Sequence, residues 1–250
     1  MKKILLASIL AFAAQAQAAT TTLTGTVIDH TPNNPDFEGG ISGLVTGLVS
    51  DTLVGNSPTL AANWTPGRGA ITSRDSFAQW FAPADRSRSG NLSLTLNDNG
   101  NGIYTYSNNS FFPIDNQYLG NQGRSHNYHF TYQIHATFGW DPSKPNQVFT
   151  FTGDDDVWVY FDKRLGIDLG GVHGAATQSV NLNQFMAGKA AGNYSFDFFF
   201  AERHTTQSNL MISTTLNLQT PPVPEPETYA MMVAGLAGLG FMARRRKQKA

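Results

Sequence analysis

QVFTFTGDDDVWVYFDKRLGIDLGGVHG, residues 147–174, is the stretch whose reading decides the fold. It opens on a β-rich run, Gln147 to Thr152, then meets Gly153 and three consecutive aspartates, Asp154, Asp155 and Asp156. Beyond them the side chains alternate. Val157, Val159 and Phe161 fall on one face and Trp158 and Tyr160 on the other, the period of two expected of a strand. Asp162-Lys163-Arg164 makes a short turn, and Leu165, Ile167 and Leu169 line one face of the returning strand until Gly170-Gly171 ends it. The stretch reads as a β-hairpin with an acidic loop at its entrance.

Three adjacent carboxylates repel one another, and an aromatic strand beside them lowers the local dielectric and sharpens the repulsion. A hard cation with oxygen ligands removes the problem, and calcium suits a flexible multi-carboxylate loop better than magnesium. The alternative is a solvated acidic loop balanced by Arg164 or Arg203. Either way the loop is expected to lie outside the core.

Outward from the hairpin the same alternation recurs. From Tyr128 to Trp140 the even-numbered residues are mainly aromatic or aliphatic, while His129, Thr131, Gln133, His135 and Thr137 face the other way. One face must be core and the other wet or half-covered. His129 and His135, six residues apart, are too distant to share a metal and are expected at the surface. Thr20 to Ile28 reads as a first strand. Leu92, Leu94 and Leu96 lead through Asn97–Gly102 to Ile103–Tyr106, a hairpin pattern. Val180 and Leu182, then Tyr194, Phe196, Phe198 and Phe200, then Ile212, Leu216 and Leu218 supply further strands. Thr72 or Ser73 caps a short helix carrying Phe77, Trp80 and Phe81. Ile41 to Ala62 has no clear period and reads as irregular. About eight to ten strands with little helix predict an all-β, antiparallel, jelly-roll-like sandwich.

The chain has 250 residues and no cysteine, so its core alone must hold it together; 12% aromatic and 14% charged residues favour a packed β protein. Its ends are distinct. Lys2-Lys3, the apolar Ile4–Ala14 and Ala16-Gln17-Ala18 form a secretory signal, residues 1–18, ahead of a body spanning residues 19–220. Pro221-Pro-Val-Pro-Glu-Pro226 is an extended linker, Tyr229 to Ala243 is an apolar helix, and Arg244-Arg245-Arg246-Lys247 follows. Such a helix reaches roughly 22 Å, short of a bilayer core of about 30 Å, and its basic end should stay cytoplasmic with the body outside. Without residues 1–19 and 221–250, 10 basic and 16 acidic side chains remain, a net of −6, which excludes nucleic acid as the body's partner.

GDDDVWVYFDKRLGIDLGGVHG resembles the signature of the fibro-slime domain, a relative of the anthrax protective-antigen-type sandwich. Asn34–Glu38, Phe111–Asp115, Asn127–Phe130, Phe199–His204 and Ser208-Asn209 resemble it in the same order. Lectins of that wider group hold calcium with an Asp-Asp pair and meet sugar hydroxyls through the ion. The resemblance places that pair at Asp154 and Asp155 and implies a cis peptide between them; Asn209 is the expected amide ligand. His173, in a glycine-flanked loop, either lines the site or caps the hairpin. Where relatives carry glycine or asparagine in the hairpin turn, this chain has Asp162-Lys163-Arg164, a departure that leaves the turn type open.

The tail resembles the PEP-CTERM sorting signal through Val223, Pro224, Glu225, Pro226, the apolar run and Arg244, Arg245 and Arg246. That implies export across the inner membrane of a Gram-negative bacterium, a transient membrane anchor, and cleavage by an exosortase; a permanent anchor is the alternative. No nucleophile elbow, His-Glu-x-x-His or phosphate loop is present. Asp154 with Asp156, or Asp155 with Glu202, is conceivable as a glycosidase pair, but no enzyme is expected. The expected function is calcium-dependent binding of a polysaccharide or cell-surface glycan, with a structural matrix component as the alternative.

Overall fold

The computed structural model describes residues 19–82, 87–98 and 100–221. The signal, the apolar tail helix and the sorting residues Val223–Pro226 and Arg244–Arg246 lie outside the described residues. Among the described residues eleven strands form: β1 (Thr20–Asp29), β2 (Arg88–Asp98), β3 (Tyr104–Asn108), β4 (Phe130–Trp140), β5 (Val148–Gly153), β6 (Asp156–Phe161), β7 (Arg164–Leu169), β8 (Ala176–Asn181), β9 (Gly192–Glu202), β10 (Leu210–Thr214) and β11 (Leu218–Gln219). They are joined antiparallel in the order β7-β6-β9-β4-β1-β2-β3-β10-β5-β8, with β11 on β4. β1 pairs with β2 along its whole length but with β4 only through Thr26–Asp29, and there the ribbon folds over into two layers. Rings of the two halves then meet. Phe149 lies 5.3 Å from Phe196, and Phe151 lies 5.6 Å from Phe198, centroid to centroid.

This interior is the face read from alternation: Val157, Val159, Phe161, Ile167, Leu169, Phe196, Phe198 and Phe200 all belong to it. The opposite face of the β6–β9 layer is also buried. Phe37, Leu48, Leu60, Trp64, Ile71, Phe77 and Trp80, contributed by the chain between β1 and β2, cover Trp158, Tyr160, Phe199 and Ala201 in a second core. That covering chain is irregular, as expected, with isolated bridges at Val49–Leu60 and Thr52–Arg164. Its one α-turn, α1 (Arg74–Phe77), starts at Ser73, whose hydroxyl accepts from the Ser76 amide at 3.0 Å while Ser76 returns a bond to the Ser73 amide.

Two expectations are corrected, one by the cover and one by a bulge. His129 is not at the surface: it is 1% exposed and bonded to Glu38 at 2.9 Å, because the covering chain lies over the start of β4. His135, further along, stays half-exposed against Asp197 at 2.8 Å. Leu165 does not share a face with Ile167 and Leu169. A β-bulge pairs Val159 with Ile167 but Tyr160 with Leu165, skipping Gly166, so Leu165 turns to the second core.

The hairpin turn closes on Asp162 and Lys163, with φ of 52° and 62°. Two positive φ values define a type I′ turn, which ordinarily wants asparagine or glycine. Here ion pairs hold it: Lys163 to Asp197 at 2.9 Å and Lys189 to Asp162 at 2.7 Å.

Candidate functional site

Register builds the site. β5 pairs Gly153 with Leu210 of β10, which sets Asp154 beside Asn209; β6 pairs Asp156 with Ala201 of β9, which sets Asp155 beside Glu202 and Arg203. Asp154 accepts from the Asn209 amide N–H and, at 2.7 Å, from its side-chain Nδ2. Asp155 accepts from the His173 amide at 3.2 Å and the Arg203 amide at 2.8 Å. Asp154, Asp155, Asn209 and His173, singled out from the sequence, are therefore brought together.

The loop is not solvated and does not lie outside the core: Asp154 and Asp155 are each 4% exposed and Asp156 is fully buried. Nor is a cis bond present among the described residues; Asp155 makes the corner instead with φ of 52°. A left-handed residue reverses the chain as sharply while keeping the trans amide, and aspartate tolerates that region better than most side chains do.

Asp156 is engaged elsewhere. Arg203 meets its carboxylate through Nε and Nη2, both at 2.6 Å, with neither side chain exposed. The same guanidinium donates to the carbonyls of Asp36, Ala70 and Gly69 in the covering chain and sits 4.5 Å over the Trp80 ring. Of the two cations expected to balance the loop, Arg203 does so; Arg164 instead bonds the Phe185 carbonyl.

Glu202, in the sequence only a conceivable glycosidase partner of Asp155, ends β9 beside the acidic loop. It is fully buried; the Ser208 hydroxyl and the His204 amide approach its carboxylate and lower its pKa somewhat, but neither contact has the geometry of a well-formed hydrogen bond, and among the described residues no cation faces it. Burial raises its carboxyl well above the usual range, and the charges of Asp155 and Asp154 add to the rise. Asp155 is pushed up to about 7 by burial, against the pull of Arg203. Asp154 is also raised by burial, opposed by its bonds to Asn209. Desolvation disfavours the charged form of each. One guanidinium thus stands against four neighbouring carboxyl groups, and it is already bound to Asp156.

Asp154 and Asp155 open onto a cleft of about 110 Å³, whose rim comprises Ile41, Val172, His173, Gly174 and the segment His204–Gln207. His173 thus lines the cleft. Its ring Nδ1 lies 2.6 Å from the Gly174 carbonyl, so it also closes the turn after β7. His204 and Glu202 were not singled out as ligands, though both fall in the Phe199–His204 run. Among the described residues no three acidic or imidazole groups already stand in a ligating arrangement. For a cation to be held here, the Asn209 side chain would have to turn its amide oxygen, in place of Nδ2, toward the ion beside Asp154, while its backbone N–H keeps its bond to that carboxylate.

Fold and cleft together describe an all-β antiparallel module with an acidic corner cleft between β5 and β6. The chain belongs to the PA14 domain family: the PA14 domain model matches residues 87–228, more than half of it. A PEP-CTERM protein-sorting motif matches residues 222–247 and marks an exported surface protein. The chain is 38% identical to Protein psiQ of Dictyostelium discoideum over 226 residues, 82% of this chain and 22% of psiQ. It is also 38% identical to Protein psiC of the same organism over 216 residues, 78% of this chain and 41% of psiC. The chain thus spans less than half the length of these relatives. The PA14 domain of the antifreeze protein MpAFP aligns over 85% of this chain and 90% of that one, at 8% identity and a TM-score of 0.29.

Proposed function

We propose that this exported protein is a binding module rather than an enzyme, and that its cleft takes a calcium ion through which a polysaccharide or cell-surface glycan is held. The observation that carries the reading is the fully buried carboxylate of Glu202, which has no counter-charge of its own among the described residues, beside Asp154 and Asp155. A buried charge without a partner costs several kcal/mol, and natural folds either neutralise it or pair it. Asp154, Asp155 and the Asn209 amide oxygen would hold the ion, with Glu202 adding its field from behind. Calcium supplies open coordination positions that accept neutral hydroxyl oxygens. Ions at such a loop keep the aspartates deprotonated, which suits ligation and not general acid catalysis.

Calcium at 100 times its dissociation constant is expected to stabilise the fold by about 2.7 kcal/mol. Asp155→Asn should lose most of that gain together with glycan binding. In chelator the variant should melt close to the wild type, within about 1 kcal/mol, because one lost acceptor is offset by relief of repulsion from Asp154 and Glu202. Glycan binding that survives in chelator would sink the ion-mediated reading. Calcium stabilisation without saturable glycan binding would leave the ion a structural part of a matrix protein.

The tail fits the same reading. We propose that the apolar segment after Pro226 holds the protein in the inner membrane of a Gram-negative cell until an exosortase-type enzyme removes it. Intact mass of protein recovered from the cell surface should lack Arg244 to Ala250; their retention would make the tail a permanent anchor.

A further inference from the structure

Three groups of side chains border the cleft, and they differ in kind. Its floor is acidic, the His204–Gln207 segment is polar, and the covering chain adds something apolar: Ile41, which lines the cleft yet is 74% exposed. Leu44, three residues on, is 51% exposed. A lone exposed aliphatic residue is ordinary on a protein surface. Ile41 is different because the backbone around it is fixed to the site. The Gly43 amide donates to the Val172 carbonyl at 3.0 Å, the Val172 amide to the Ser42 hydroxyl at 2.9 Å, and the Val45 amide to the Gly170 carbonyl at 2.7 Å. Residues 42–45 therefore ride on the same turn that carries His173. The docking is close: a Cβ on Gly171, whose φ is +96°, would stand 2.4 Å from the Gly43 carbonyl oxygen.

We propose that Ile41 and Val172 form an apolar subsite of the cleft, and that the ligand presents a methyl group there while its hydroxyls face the carboxylate floor. The sugars with that chemistry are 6-deoxyhexoses, whose C6 methyl replaces a hydroxymethyl group. A C6 methyl covers part of the exposed Ile41 side chain and leaves water with it, whereas the C6 hydroxymethyl of an ordinary hexose keeps its hydroxyl hydrated and gains less from that contact. The cleft's volume, small beside typical ligand pockets of about 300–1,000 Å³, suits one terminal sugar of a longer chain. This inference rests on the calcium-and-glycan reading above and specifies its ligand.

The test compares sugars that differ only at C6, L-fucose with L-galactose and L-rhamnose with L-mannose, titrated into the calcium-loaded chain. The 6-deoxy member of at least one pair should bind about fourfold or more tightly, the effect of one buried methyl group. Ile41→Ser, an exposed substitution, should abolish the preference while leaving the calcium-induced rise in melting temperature unchanged. Equal affinity within each pair, or a preference that Ile41→Ser retains, overturns the subsite. Loss of the calcium effect in the wild type itself would instead overturn the reading on which the subsite rests.

Discussion

Arg203→Met should lower the stability of the chain by about 3–5 kcal/mol, the usual result of removing one partner of a buried ion pair. Methionine fills much of the same space, so the loss is electrostatic and not a cavity. Three things fail together. Asp156 keeps a buried charge with only the Gly171 amide, 2.6 Å away, to hold it. The carbonyls of Asp36, Gly69 and Ala70 lose their donor. Trp80 loses the cation stacked on its face. Because those carbonyls belong to the covering chain, the variant should expose the second core as well as the acidic loop. Adding Asp156→Asn should recover part of the loss, since removing both charges is far cheaper than stranding one. Denaturant unfolding measures both variants. A cost below about 1 kcal/mol for Arg203→Met would mean that the guanidinium is not the link between cover and sheet.

Phe198→Ala should cost about 3–5 kcal/mol through lost burial and the cavity left behind. Phe198 is fully buried at the centre of the main interior, with Phe151 5.6 Å away across the sandwich and Tyr132 6.3 Å away on the neighbouring strand. Both neighbours are pinned: Phe151 by its strand, and Tyr132 by the bond its hydroxyl donates to the Leu92 carbonyl at 2.9 Å. The site therefore collapses poorly. The midpoint of unfolding should fall while the denaturant slope stays constant, as for a change in stability alone. A change below about 1 kcal/mol would place the residue outside the core.

Alternation was readable wherever a strand has one face on the main interior, so β4, β6 and β9 were legible with their faces correctly assigned. The pairing of Asp154 with Asn209 was reachable as well, through the order of motifs along the chain. The second core was not. It is built by the stretch from Phe37 to Phe81, which is irregular chain, and irregular chain has no period to detect even when most of its large side chains are buried. From that single omission follow the burial of His129, the burial of the aspartate loop, and the role of Arg203, each of which depends on what lies over the β6–β9 layer. Leu165 was misassigned for a local reason. One skipped glycine inverts the parity of every residue beyond it, and Gly166 looks like any other strand glycine.

The acidic cleft is the centre of this account, and the melting temperature of the metal-stripped chain, followed as calcium is titrated in, tests it most directly. The account predicts a saturable rise fitted by one site, absent from Asp155→Asn and extended further by exopolysaccharide from the producing cell. Identical melting in calcium and in chelator would contradict it, leaving Glu202, Asp155 and Asp154 as buried carboxyl groups whose charged forms desolvation disfavours.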